Sequence, residues 1–330
     1  MKKSIYVFTS GELKREGNTL CLISEEKKRF IPITNVGEIH IFGEATLNKR
    51  FLEFISSEGI PIHFYNYYGF YTGSFYPREF YNSGYLVLKQ AEHYLDLRRR
   101  LSIASKFVRG ALDNIQTVLQ YYHRRGKDLK TQIMTLEDLK SKLGNVRNIE
   151  ELMAIEGNAK KEYYSAFNSI LDSEEYRFEQ RTKRPPKTMI DSLLSFGNSV
   201  LYTTCLSEIY RTHLDPRIGF LHETNFRRFS LNLDVAEVFK QPIVDRVIFT
   251  LVNKKILNES HFIEELGGVF LNEKGRKIFI EEYEKKLSST SMDKSLKRNV
   301  SYRGLIRMDL YKIEKHLIEE KEYEPFALRW

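Results

Sequence analysis

The sequence predicts an α+β protein in two parts. Residues 1–85 read as a small β-rich domain and residues 86–330 as a larger all-α domain. Short apolar runs fill the first 80 residues, broken by Gly17-Asn18, Gly43, Gly59 and Asn66. From Tyr85 onward the apolar period changes to three and four, the spacing of a helix face. The 330 residues are 42% hydrophobic and 29% charged. That is too apolar for a disordered chain and long enough to bury a core without disulfides or metal staples.

The elements follow in order. Ser4 to Phe8 is a short β run, and Gly11 opens a turn. Thr19 to Ile23, Arg29 to Ile33, Glu38 to Phe42 and Pro61 to Tyr65 are further strands, with Phe70 to Phe75 the last. Between them Leu47 to Ser57 is a short helix with Leu47, Phe51, Phe54 and Ile55 on one side. Leu86 to about Arg124 is one long helix with Leu95, Ile103, Phe107, Ala111, Ile115 and Leu119 as its buried stripe, and Gly126 ends it. Thr135 to Leu143 and Ile149 to about Leu171 are helices. Arg181 to Lys187 is a loop that Pro185 and Pro186 keep out of helix. Met189 to about Thr212 is helical and largely apolar. Asp234 to about Asn258 is helical, with Pro242 as a kink or a fresh start. Val269 to Ile280 reads as a hairpin around Glu273-Lys274-Gly275, followed by two helical patches.

The formal charge of +8 favours a polyanionic partner. Two cysteines, Cys21 and Cys205, build neither a disulfide framework nor a Cys-based zinc site and fit a reducing, cytoplasmic compartment. The start carries no signal peptide pattern, and no apolar run is long enough for a membrane span. G-x-G-x-x-G, G-x-x-x-x-G-K-[ST] and H-E-x-x-H are absent, which disfavours nucleotide-cofactor enzymes and zinc peptidases.

Three places carry chemistry. Glu156 lies in Ile155-Glu156-Gly157, where it also reads as a solvated helix residue. His222 closes Asp215-Pro-Arg-Ile-Gly-Phe-Leu-His222, where it also reads as a core histidine bonded to backbone. Asp234 and Glu237 stand three apart, on one side of a helix, in Ser230-Leu-Asn-Leu-Asp-Val-Ala-Glu237. Capping and the helix dipole also favour acids there. Carboxylates among Leu231, Leu233, Val235, Val238 and Phe239 repel one another and need a cation. Two or three carboxylates with one imidazole suit a hard ion, Mg²⁺ or Mn²⁺. Such an ion serves phosphodiester chemistry. Phosphate contacts would come from the 181–187 loop through Arg181, Lys183, Arg184 and Lys187, which no carboxylate interrupts. Arg98-Arg99-Arg100, Arg227-Arg228, Lys240 and Lys294 to Arg303 are further candidates.

With these segments in view, the chain resembles the CRISPR-associated integrase family, the metal-dependent nuclease subunit that inserts spacers into CRISPR arrays. The resemblance rests on four segments in this order. They are Ala154-Ile-Glu156-Gly, Arg184-Pro-Pro through Leu-Leu-Ser-Phe-Gly197, Leu214-Asp-Pro-Arg-Ile-Gly-Phe-Leu-His222, and Ser230 through Glu237-Val-Phe-Lys240-Gln-Pro-Ile-Val-Asp245. It implies Glu156, His222 and Glu237 as ligands of a Mg²⁺ or Mn²⁺ ion, Asp234 beside the ion, and Lys240 on the scissile strand. It implies transesterification, in which a 3′-hydroxyl of incoming DNA attacks a phosphodiester at the repeat edge. It also implies cleavage of double-stranded and branched DNA, and a role in antiviral defence. The implied assembly is a homodimer joined through the β domains, two of which flank a dimer of a small CRISPR-associated partner. A non-catalytic nucleic-acid scaffold and a nuclease working by water attack are the competing readings. The chain departs from the family pattern at Ala154, at His213 and in the 225–229 loop.

Overall fold

The computed structural model describes residues 2–25, 27–78, 81, 83–224, 229–293 and 297–329. The chain divides into two compact units, Met1–Asn82 and Ser83–Trp330.

In the first unit the strands are β1 (Lys3–Val7), β2 (Gly11–Glu16), β3 (Thr19–Ile23), β4 (Lys28–Pro32), β5 (Val36–Ile41), β6 (Ala45–Leu47), β7 (Ile62–Tyr65) and β8 (Tyr71–Phe75). They form two four-stranded sheets, ordered β1-β5-β7-β8 and β4-β3-β2-β6. β5 and β7 are parallel, which requires a crossover, and helix α1 (Lys49–Ser57) supplies it. Asn48 caps α1, its Oδ1 accepting the Phe51 N–H at 2.9 Å. The strands and α1 bury Val7, Leu13, Leu20, Ile39, Phe51 and Ile62 in one core. The other side of the first sheet is polar and aromatic: Ser4 donates to Glu38 at 2.7 Å, and His40 Nδ1 lies 2.8 Å from the Tyr65 hydroxyl. Two strands, β2 and β6, go beyond the sequence reading. Gly11 starts β2, which pairs with β3 and β6, instead of opening a turn, and a Cβ there would strike the Ile23 carbonyl oxygen.

The second unit is helical with two short ribbons. The expected helix from Leu86 to Arg124 is broken into α2 (Gly84–Leu95) and α3 (Leu97–His123). Asp96 makes the break: its side chain accepts the N–H groups of Arg98 and Arg99 at 2.9 and 3.0 Å and caps α3. Leu95, expected in the buried stripe, is therefore 77% exposed, whereas Ile103, Phe107, Ala111, Ile115 and Leu119 are buried. Next come α4 (Lys130–Lys142), α5 (Ile149–Ser165), α6 (Phe167–Ile170), α7 (Met189–Tyr210) and α8 (Leu231–Phe239). A π-helical turn over Lys240–Asp245 joins α8 to α9 (Arg246–Asn253). α3 packs against α4, α5 and α8, and α7 packs against α8.

The expected hairpin around Glu273-Lys274-Gly275 is a helix start instead. Asn272 caps α10 (Glu273–Ser288) by accepting the Gly275 N–H at 2.9 Å. The hairpin lies just before it, as β9 (Phe262–Glu265) and β10 (Gly268–Leu271), turning through Leu266 and Gly267 at positive φ. A second ribbon pairs β11 (Thr290–Asp293) with β12 (Arg298–Ser301), ahead of α11 (Tyr302–Leu317). No helix among the described residues is long and apolar enough to cross a membrane. Cys21 and Cys205 are both buried free thiols.

Candidate active site

The segment Asp215 to His222 has no regular structure and is held from several sides. On α2, Gln90 accepts the Asp215 N–H at 2.8 Å and donates to the carbonyls of Asp215 and Ile218 at 3.0 and 2.9 Å. Arg100 donates to the Phe220 carbonyl at 2.9 Å. Gly219 donates its N–H to Ser230 Oγ at 2.8 Å, and a Cβ on Gly219 would lie 2.8 Å from Asp234 Oδ2. Only glycine lets the backbone come this near the carboxylate.

Asp234 is wholly buried in the first turn of α8. Its Oδ2 accepts the N–H groups of Phe220 and Leu221 at 2.5 and 3.0 Å. Its Oδ1 accepts the His222 N–H at 2.9 Å and faces His222 Nδ1 at 2.8 Å. A carboxylate only accepts, so Nδ1 carries the proton in this pair and the neutral ring keeps its lone pair on Nε2. Burial alone would lower the His222 pKa. The bond to Asp234 and the charges of Asp234 and Glu237 outweigh it, and the net shift is upward. Every contact of Asp234 named here runs to the His222 segment, which makes it the residue that positions the imidazole.

Glu156 on α5 and Glu237 on α8 face each other across a lysine. Lys160, one turn beyond Glu156 on α5, bridges Glu156 Oε1 and Glu237 Oε2, the latter at 2.7 Å. Lys240 Nζ lies 2.6 Å from Glu237 Oε1 and 5.2 Å from the centre of the Tyr202 ring. Burial pushes the Glu237 pKa up, but Lys160, Lys240 and His222 more than reverse it and hold the carboxyl well below its usual range. Glu156 shifts the other way, through burial and the charge of Glu237. Asp245, at the end of the π turn, is pushed up to about 7 by burial. Among the described residues no three His, Cys, Asp or Glu side chains gather around one point as they would on an ion. The ammonium of Lys160 stands between Glu156 and Glu237 instead.

The π turn has a traceable cause. Pro242 has no N–H, so the Val238 carbonyl loses its usual partner four residues on. Asn114 on α3 replaces that partner, donating to the Val238 carbonyl at 2.8 Å. Pro242, expected as a kink or a fresh start, thus lies in a widened turn that carries Lys240.

The candidate phosphate contacts separate. Arg181 is spent inside the fold, on Asp191 at 3.0 Å and Ser195 at 2.9 Å. Lys187 reaches the Gly267 carbonyl at 2.6 Å. Lys183 and Arg184 are exposed. Lys183 is shifted down by desolvation and by the charges of Lys160, Lys240 and Arg181. In the arginine triplet, Arg99 pairs with Glu92 and Glu319, and Arg100 holds the His222 segment. Arg227, Arg228 and most of the departing 225–229 loop lie outside the described residues, as do residues 294–296. Sequence reasoning missed Lys160, Gln90 and Asn114. Lys160 had a signal, the i, i+4 spacing from Glu156, but that spacing is also the commonest pattern of a solvated helix pair.

The chain thus comprises a strand-rich unit and a helical unit in which Lys160 bridges Glu156 and Glu237 and Asp234 holds His222. The structure of a Cas1 protein from Thermotoga maritima matches with a TM-score of 0.89 at 50% identity, covering 97% of this chain and 98% of that one. The family described as CRISPR associated protein Cas1 matches residues 5–285, and the chain belongs to that family. It is 57% identical over 330 residues to the CRISPR-associated endonuclease Cas1 2 of Thermodesulfovibrio yellowstonii, covering 100% of both. It is 52% identical over 321 residues to the CRISPR-associated endonuclease Cas1 of Thermotoga maritima, covering 97% of this chain and 98% of the relative. A casposase bound to its integration product shares the fold, with a TM-score of 0.89 at 21% identity and coverage of 100% and 95%.

Proposed function

We propose that the chain is a Mg²⁺- or Mn²⁺-dependent DNA endonuclease and integrase. It would join the 3′-hydroxyl of incoming DNA to a phosphodiester at the edge of a CRISPR repeat, in the service of antiviral defence. The observation that carries this reading is the pairing of Glu156 and Glu237 across a shared positive charge, next to an imidazole with a fixed tautomer. The donor set fits a hard divalent cation: two carboxylates, and the Nε2 of His222. A cation held there supplies Lewis acidity toward a phosphodiester oxygen and lowers the pKa of an attacking hydroxyl. The protein's part is positional. Asp234 orients His222, Lys240 stays beside Glu237 within reach of a phosphate oxygen, and Lys183 and Arg184 lead the strand in.

Relatives in fold include a Cas6-RT-Cas1–Cas2 complex, with a TM-score of 0.85 at 18% identity, covering 100% of this chain and 36% of that one. For this chain we take the partners to be a second copy and the small CRISPR-associated protein whose dimer bridges two such homodimers. The first unit is the expected homodimer surface, with Tyr67 62% exposed beyond β7. Sedimentation of the full chain and of a fragment starting near residue 86 checks this. The full chain should be dimeric and the fragment monomeric.

The activity is tested by mixing a short duplex, a repeat-bearing plasmid, the small partner and Mn²⁺ or Mg²⁺. Covalent joining at the repeat edge is the expected result. Cleavage without joining favours water as the nucleophile, and binding without either favours a scaffold.

A further inference from the structure

Lys160 has two ionic partners among the described residues, Glu156 and Glu237. It is no ordinary surface lysine, because both carboxylates are nearly buried, with side chains 11% and 2% exposed. It also differs from its neighbour Lys240, whose side chain is 8% exposed and packed on the Tyr202 ring. Lys160 is 23% exposed and ends a flexible stem on the rim of the centre. The two carboxylates and two ammoniums balance in charge. A divalent ion added to that set would leave two net positive charges in a poorly solvated place. Each ammonium that leaves when an ion enters removes one of those charges. Lys160 is the more exposed of the two, and it occupies the span between the two carboxylates.

Resting on the metal-centre reading above, we propose that Lys160 is the resident counter-ion of this centre. Its ammonium holds Glu156 and Glu237 together in the ion-free protein, and a divalent ion binds there only by expelling it. The ammonium offsets the charge of both carboxylates and keeps Glu156 on α5 and Glu237 on α8 from repelling one another. Its cost is competition, since every ion that binds must first break the lysine's two contacts.

Calorimetric titration of Mn²⁺ into the full chain without DNA tests this, comparing wild type, Lys160→Gln and Lys160→Arg. Lys160→Gln removes the competitor. It should bind Mn²⁺ at least about tenfold more tightly, the factor that about 1.4 kcal/mol of relieved competition supplies. Its melting temperature in chelator should fall below wild type, and the rise on adding Mn²⁺ should be larger. Lys160→Arg should bind Mn²⁺ more weakly than wild type, because a guanidinium fork grips carboxylates at two points. Equal Mn²⁺ affinity in wild type and Lys160→Gln, both lost in Glu156→Gln, overturns the counter-ion role and leaves the metal centre standing. No saturable binding in either wild type or Lys160→Gln overturns both. Should Lys160→Gln fail to fold, the arginine variant decides alone, and affinity equal to or above wild type overturns the proposal.

Discussion

Asp234 and Glu237 are both acidic, both buried, and three residues apart on α8. Asp234 is surrounded by N–H groups: three from the backbone and one from an imidazole, all on the segment it anchors. Glu237 is surrounded by ammonium groups on flexible stems. Backbone donors cannot leave without unfolding the loop, whereas a lysine can swing away. The same residue chemistry thus gives a fixed structural anion at one end of the helix and an exchangeable one a turn later. The sequence spacing places both acids on one side of α8, and only their neighbours tell the roles apart.

That contrast can be broken most forcefully at Asp234. Asp234→Ala orphans several buried donors, each costing about 1–3 kcal/mol, so a loss of roughly 3 kcal/mol or more is expected. Chemical denaturation in chelator measures it. A loss within the range of an ordinary surface change would mean that the His222 segment is held without Asp234. Glu237→Gln should act in the opposite proportion. Mn²⁺ binding and DNA cleavage should be nearly abolished, while the folded state persists with the two lysines drawn toward solvent. Titration and circular dichroism on one preparation separate the two effects, and retained Mn²⁺ affinity would take Glu237 out of the centre.

His222 sharpens the comparison through pH. Its folded pKa is raised above the ordinary 6.5, chiefly by Asp234 acting against burial. The protonated pair therefore adds stability that is full below the ordinary value and is lost as pH rises through the raised one. In chelator, wild type should exceed His222→Gln in melting temperature by more at about pH 5.5 than at about pH 8.5. A gap that stays constant would show that the imidazole does not titrate against Asp234. The smallest effect belongs to the basic loop. Neutralising Lys183 and Arg184 should weaken duplex binding for all sequences and flatten the salt slope by about 0.9 per lost contact. Arg181→Gln should instead lower stability, because its partners are Asp191 and Ser195.

Much of the architecture was legible in the residues. The apolar period changes near Tyr85, and the second compact unit begins at Ser83. The segments around Glu156, His222 and Glu237 were singled out together by the family resemblance, and the structure joins Glu156 to Glu237 across Lys160 and His222 to Asp234. What escaped had local signals with two readings. Asp96 sat inside an unbroken helical pattern, and its capping side chain won over periodicity. Asn272 and Gly275 looked like turn residues and proved to be a cap and the first turn of a helix. Lys160 was passed over, because its second carboxylate comes from a helix 77 residues away in sequence. Long-range pairing of that kind leaves no trace in spacing.

The Asn114 side chain ties three separate segments together. Besides the Val238 carbonyl, its Nδ2 donates to the Phe326 carbonyl at 3.2 Å, and its Oδ1 accepts the Leu328 N–H at 2.7 Å. Phe326 also stacks on Phe239 with ring centres 5.2 Å apart. The helix that bears Asp234 and Glu237 is therefore backed by residues 326–328, fastened to it through one amide. Removing that amide would loosen the strap and the turn that carries Lys240 together, so a change made far from every acidic group would still reach Lys240.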